Sequence, residues 1–342
     1  AAEFIAITNI AHAGDNIVSS TDLYGGTWNL LKNTLATMGI ECRFVDPSNP
    51  EEFRAATDDK TRCYFAETLP NPKLEVFPIA EVAAIGRELG VPLIIDNTAA
   101  PILCRPFDHG AAIVLHSTTK FIGGHGTSIG GVIIDGGNFD WEAHPERFPM
   151  LNKPDPSYHG AVWVEAVKPI GPVAYIIKAR VTQLRDIGAA MSPANAFQFI
   201  QGMETLPLRM ERHCENARKV AEYLSEHGKV TKVIFPGVMK GEPRARADRY
   251  LKGGYGSLLG FEVAGGAEGG KKFIEALKLF YHVANIGDAR SLAIHPATTT
   301  HSQLEADEQL ASGVTEGYIR LSVGIEHIDD ILADLAQALN AS

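Results

Sequence analysis

Four cysteines in 342 residues, Cys42, Cys63, Cys104 and Cys214, are too few and too scattered for a disulfide framework, and none forms the close pairs that zinc sites use. They read as reduced packing residues. No apolar run approaches the roughly 20 residues that cross a bilayer, and no charged-then-apolar leader opens the chain, so a cytoplasmic location is expected. An excess of positive charge is also missing. Lys and Arg number 31 against 41 Asp and Glu, a net charge of −10, which argues against a sequence-independent grip on nucleic acid or an anionic membrane. A local basic pocket stays compatible with that balance. There is no internal repeat and no low-complexity tract. The chain starts in mid-pattern at Ala1-Ala2-Glu3-Phe4-Ile5 without an initiator methionine, so further residues are expected upstream.

What is present is ordinary globular material, 45% hydrophobic and 21% charged, enough to bury a large core. At roughly 100 to 200 residues per domain the length predicts two domains or three. From residue 16 to 134 short β-branched runs alternate with segments of helical period, the pattern of an α/β fold with a mostly parallel sheet. Strands are expected near Asn16 to Ser19, Glu41 to Val45, Thr61 to Glu67, Val91 to Asp96, Ile113 to His116 and Gly131 to Ile134. Helices are expected at Thr27 to Met38 and Ile79 to Leu89. Residues 140 to 160 read as a long loop, and Gly171 to His227 as helical with a start at Pro193. Beyond Phe235-Pro236-Gly237, strands, glycine-rich turns and helices at Lys271 to Leu279 and Ile328 to Leu339 predict a smaller α+β domain. The expected division is 1–227 and 228–342.

Ligands of an open parallel sheet bind outside the carboxyl ends of its strands, so polar residues that follow apolar runs are the candidates. Val91-Pro92-Leu93-Ile94-Ile95 ends in Asp96-Asn97-Thr98. An acid in that place is either the cap of the next element or a group aimed at a ligand. The run Ile113-Val114-Leu115-His116 ends in Ser117-Thr118-Thr119-Lys120, followed by the glycine-rich Phe121 to Gly131. Hydroxyls and N–H groups can converge on a phosphate where glycine permits close approach. The order is reversed from a Walker loop, and Gly124, Gly126 and Gly130 are one residue too widely spaced for a dinucleotide fingerprint. A solvated turn is the bland reading of such a lysine. A Schiff-base lysine for pyridoxal phosphate (PLP) is the sharper one, because that cofactor needs an amine, a carboxylate at its ring nitrogen, phosphate donors and an aromatic face. Lys120, Asp96 and the hydroxyls meet three of those needs, and Tyr24 could meet the fourth.

These segments resemble a known family. Leu23-Tyr24-Gly25-Gly26-Thr27, Glu67-Thr68-Leu69-Pro70-Asn71-Pro72, Asp96-Asn97-Thr98 and Ser117-Thr118-Thr119-Lys120 are similar to successive motifs of the Cys/Met metabolism family of PLP-dependent enzymes. So are Gly202-Met203-Glu204-Thr205-Leu206 with Arg209-Met210 and His213, Ser291 to Ala297, and Ile319 to Glu326. The resemblance implies a PLP-dependent transferase of fold type I, with Lys120 as the Schiff-base lysine that later moves protons, Asp96 at the pyridine nitrogen and Tyr24 stacked on the ring. It implies Ser117 and Thr119 on the phosphate, with Thr98 in the same cofactor pocket, and Asn71 toward the ring oxygen or the substrate. Arg320 lies in an apolar run, where a paired structural arginine is the alternative; the resemblance makes it the fork for the substrate carboxylate, joined by Ser291.

Asn285 to Leu292, Pro296 to His301 and Phe121 to Thr127 resemble the O-acetylhomoserine sulfhydrylase branch. The implied reaction is γ-replacement: acetate leaves O-acetylhomoserine and sulfide or methanethiol adds, giving homocysteine or methionine. Cystathionine γ-synthase or methionine γ-lyase activity is the alternative within the family. A non-catalytic scaffold or inactive fragment unable to hold PLP is the alternative outside it, since family members carry a further N-terminal segment reaching a neighbouring subunit's cofactor phosphate. Homotetramers of catalytic dimers are implied too. His116, His125, His295 and His301 lack metal-ligand spacing and read as hydrogen-bonded structural residues, and Glu326-His327 as a helix cap; no metal is expected.

Overall fold

A computed structural model describes residues 1–299 and 313–342; His301 lies outside them. The first sheet is built from β1 (Asn16–Ser20), β2 (Glu41–Val45), β3 (Thr61–Glu67), β4 (Leu93–Asp96), β5 (Ile113–Ser117) and β6 (Gly131–Asp135) in the order β2-β1-β3-β4-β5-β6. Its first five strands run parallel and β6 is antiparallel to β5. The central strands β3, β4 and β5 are mostly apolar and buried because both of their faces are covered, whereas the edge strands β2 and β6 are partly exposed. Along β3, Tyr64 and Ala66 enter one buried layer while Cys63 and Phe65 enter the other. Each fully buried Phe or Ile there contributes roughly 1.5–3 kcal/mol. β4 starts at Leu93, two residues later than the apolar run predicts, because Pro92 has no N–H for the ladder.

The second sheet contains β7 (Val230–Ile234), β8 (Leu258–Val263), β9 (Tyr281–His282), β10 (Leu292–Ile294) and β11 (Tyr318–Ser322) in the order β7-β8-β11-β10-β9. Helices Gly266–Ala276 and Ile328–Ala341 and the end of the 34-residue helix Pro193–Glu226 close its core. Together the two sheets give the fold type I arrangement of a mostly parallel large sheet and a smaller α+β unit.

Three helices depart from the sequence pattern. The one expected at Thr27 begins at Gly25, where Tyr24 is its N-cap, and winds through a π turn at Leu30–Thr34. The one expected at Lys271 begins at Gly266; glycine weakens the helical signal, yet a Cβ on Gly269 would collide with the Ala264 carbonyl, so the close packing requires it. The helical stretch before Pro193 stops at Gly188, whose φ of 76° is left-handed.

Candidate active site

The parallel strands β1, β3, β4 and β5 all deliver their carboxyl ends to one edge. Glu67 and Asp96 are register partners at the ends of β3 and β4, so their side chains leave the sheet on the same face. Tyr24 arrives from the loop after β1, and its N–H donates to the Glu67 carboxylate at 2.7 Å. Lys120 follows β5 in a tight turn in which the Gly124 N–H donates to the Lys120 carbonyl at 2.7 Å. From the second sheet come Arg320, in the middle of β11, and the Ala284-Asn285-Ile286 loop.

These groups enclose a pocket of about 170 Å³. Of the sequence-predicted residues it brings together Tyr24, Asn71, Asp96, Thr98, Ser117, Lys120 and Arg320. Thr119 faces an adjoining cavity of about 730 Å³ that shares Tyr24, Asp96 and Ser117, and its hydroxyl is engaged with Gly130, accepting from the N–H at 3.0 Å. Ser291 is placed elsewhere. It is fully buried, its hydroxyl donates to Glu326 Oε2 at 2.8 Å and accepts from the Gly324 N–H at 2.8 Å, so it braces the chain beyond Arg320 and does not line the pocket. Glu326 is thereby Ser291's partner, and the cap of the last helix is His327 alone. His125 and His295 are hydrogen-bonded, whereas Nδ1 of His116 has no partner among the described residues. No cluster of metal-ligating side chains occurs among them either.

Three residues that sequence reading gave no role complete the site. Glu3 lines both cavities, and Thr27 donates to it at 2.9 Å. Glu67 obeys the same strand-end rule as Asp96 and was legible on that ground. Asn285 carried no local signal: its side-chain oxygen accepts from Lys120 Nζ, and its main-chain carbonyl accepts from Arg320 Nη2 at 3.0 Å. One asparagine therefore touches both cations.

The electrostatics follow from burial. Desolvation, then the neighbouring Arg320 charge, lowers the Lys120 pKa. Burial pushes the Arg320 guanidinium down to about 10, which leaves it charged at neutral pH. On the opposite wall desolvation raises Asp96, with hydrogen bonds from Thr98 opposing it, and the Thr98 N–H lies 2.7 Å from Asp96 Oδ1. Burial, then the Asp96 charge, raises Glu67 well above the ordinary carboxylate range and lifts Glu3 to about 7. A raised carboxyl contributes nothing below the unfolded pKa and costs stability as pH climbs above it, because the unfolded chain then ionises more easily. The Glu67→Gln protein without cofactor is accordingly expected to melt with wild type at pH 4 and above it at pH 9. Equal melting curves at both pH values would refute this.

The chain matches the model of the Cys/Met metabolism PLP-dependent enzymes over residues 1–340. It belongs to that family. It is 56% identical to an O-acetyl-L-homoserine sulfhydrylase of Leptospira meyeri, over 99% of this chain and 78% of that protein. Identity to a homocysteine synthase of Schizosaccharomyces pombe is 48%, over 99% and 79%. A crystal structure of a putative O-acetylhomoserine (thiol)-lyase from Campylobacter jejuni, containing N'-pyridoxyl-lysine-5'-monophosphate, superposes with a TM-score of 0.93 at 38% identity over 99% of this chain and 80% of that one. One of metB from Corynebacterium glutamicum gives 0.80 at 35%, over 99% and 78%.

The family's cofactor fits the residues present. The pocket offers one amine of lowered pKa and a carboxylate wall suited to a ring N–H. It also holds the Tyr24 ring and the buried side-chain oxygen of Asn71, which has no partner among the described residues. Members of this family act on small molecules, and no helix among the described residues is long and apolar enough to cross a membrane.

Proposed function

We propose that this chain catalyses γ-replacement on O-acetylhomoserine, releasing acetate and adding sulfide or methanethiol to give homocysteine or methionine. The names of its relatives support that substrate, and the carrying observation is the convergence of Lys120 and Arg320 on Asn285, opposite Asp96, in one pocket. PLP, when bound, supplies a carbonyl that condenses with an amine and a ring that accepts electron density from the substrate's Cα. Asp96, with Thr98 hydrogen-bonded to it in the same cofactor pocket, would hold its ring nitrogen, Tyr24 its face, Ser117 and Thr119 its phosphate, and Asn71 its ring oxygen or the substrate.

Lys120 is the base and acid. Burial and the Arg320 charge shift its balance toward the neutral amine, so it can take the protons from Cα and then Cβ that let acetate depart and return protons to those carbons as the thiol adds. Tyr24, at the pocket rim, can assist that transfer. Arg320 receives the α-carboxylate; its Nε has no partner among the described residues, which leaves that side of the fork free of them. Asn285 aims the Lys120 amine. Replacing Asn285 with Ala leaves the buried amine without an acceptor, a loss of about 1–3 kcal/mol that is expected to reduce kcat/KM roughly 10- to 100-fold. Unchanged steady-state constants would remove Asn285 from the account.

The reaction is tested by incubating the enzyme with O-acetylhomoserine and sulfide, cysteine or no added nucleophile. Homocysteine and acetate with sulfide are expected. Cystathionine as the preferred product, or 2-oxobutyrate without nucleophile, would overturn the proposal. A homotetramer of catalytic dimers is also proposed, because Phe197, Ile200, Met203 and Leu208 expose apolar surface along helix Pro193–Glu226; light scattering reads the assembly directly.

A further inference from the structure

Helix Pro193–Glu226 buries three polar side chains that the proposed chemistry does not use. Arg209, His213 and Asn216 recur at i, i+4 and i+7, so they form one stripe on a single face. They are 6%, 0% and 2% exposed, and none lines the pocket. Burying such groups is costly unless each is hydrogen-bonded, and here, apart from Arg209's bonds to Thr205 and Gly202 of its own helix, they donate to main-chain carbonyls of the two segments that carry the site's cations.

Arg209 donates to the carbonyls of Phe121 at 2.6 Å and Ile122 at 3.1 Å, the two residues after Lys120, and to Gly202 of its own helix at 2.7 Å. Nδ1 of His213 lies 2.7 Å from the Val323 carbonyl; a carbonyl only accepts, so Nδ1 carries the hydrogen. Asn216 Nδ2 donates to the carbonyls of Gly324 at 3.0 Å and Glu326 at 2.9 Å. Val323 and Gly324 lie just beyond Arg320 in the chain. The helix therefore grips the lysine turn at one level and the arginine strand's end one and two turns further on.

The contacts are too close to slide. A Cβ on Gly202 would strike the Ile122 carbonyl, and one on Gly124 would strike the Arg209 guanidinium. The Phe121 ring meets the His213 ring edge-on at 5.5 Å between centroids, which joins the two grips.

We propose that Arg209, His213 and Asn216 are positioning residues that together fix the Lys120 amine relative to the Arg320 guanidinium, Arg209 holding the lysine turn and His213 with Asn216 holding the strand end beyond Arg320. This deepens the proposed function and rests on the roles given there to Lys120 and Arg320. A shift of about 1 Å at a reacting group is enough to cost on the order of 100-fold in rate. A displaced lysine acts on the chemical step, whereas a displaced arginine acts on the hold on substrate.

The test uses the PLP-loaded full chain with O-acetylhomoserine and sulfide, well below the melting temperature of each variant. Arg209→Lys keeps the charge but cannot span the planar set of carbonyls. It is expected to lower kcat about 10- to 100-fold, with KM within about threefold, and to shift the visible absorbance of the lysine-bound cofactor. His213→Gln and Asn216→Ala are expected to raise KM about 5- to 20-fold with kcat nearly unchanged and the absorbance in place. If Arg209→Lys does not fold, the KM effect of Asn216→Ala decides alone. Variants that melt earlier but keep both constants and the absorbance would overturn the proposal, as would Arg209→Lys and Asn216→Ala changing the same constant alike. An inactive wild type would instead defeat the proposed function.

Discussion

Replacing Lys120 with alanine is expected to lower kcat by about 10³-fold or more while the protein still folds. The size of the effect follows from how many tasks converge on one amine. It is the only lysine amine among the described residues that line the pocket, it is held by Asn285, and burial beside Arg320 depresses its pKa. Lys120→Arg is expected to rescue nothing. A guanidinium keeps its proton at any working pH and so cannot serve as a base. Steady-state kinetics with a melting curve check both variants, and a Lys120→Ala protein retaining a tenth of wild-type kcat would remove the lysine from the chemistry.

Arg320→Ala is expected to reduce kcat/KM by about 10²- to 10³-fold, chiefly through KM. The estimate follows from the roughly 2–5 kcal/mol lost when one partner of a buried charge pair is truncated. Lys at this position is expected to recover only part of the loss, since a point charge cannot bind a carboxylate through two parallel hydrogen bonds. A second signature separates this role from a structural one. After burial, the Arg320 charge is the other cause of the lowered Lys120 pKa, so its removal lets that pKa climb. Less neutral amine is then present at a given pH, and the acidic limb of the kcat profile moves to higher pH. A limb that stays in place would mean that the two cations do not interact.

Much of the site was legible because its residues stand where apolar strands stop. The end of β4 at Asp96, the turn after β5 at Lys120 and the loop after β1 at Tyr24 are local facts, and a parallel sheet gathers them without further instruction. Glu67 ends β3 in the same way, but its register with Asp96 appears only when the strands are paired. Asn285 and the Ser291–Glu326 brace belong to contacts between distant segments, 165 residues apart for Lys120 with Asn285 and 35 for Ser291 with Glu326. No periodicity encodes such meetings. One helix boundary failed where glycine was chosen for close packing, as at Gly269, and therefore concealed the first turn of a helix that the sequence otherwise showed.

The central claim is that Lys120 is the residue that carries PLP in this pocket. Borohydride reduction of the PLP-loaded protein, followed by proteolysis and mass spectrometry, tests it most directly. The account predicts a pyridoxyl phosphate adduct on the peptide containing Lys120, prevented by prior reaction with O-acetylhomoserine. An adduct confined to any other lysine, or none in protein that binds the cofactor, would contradict it.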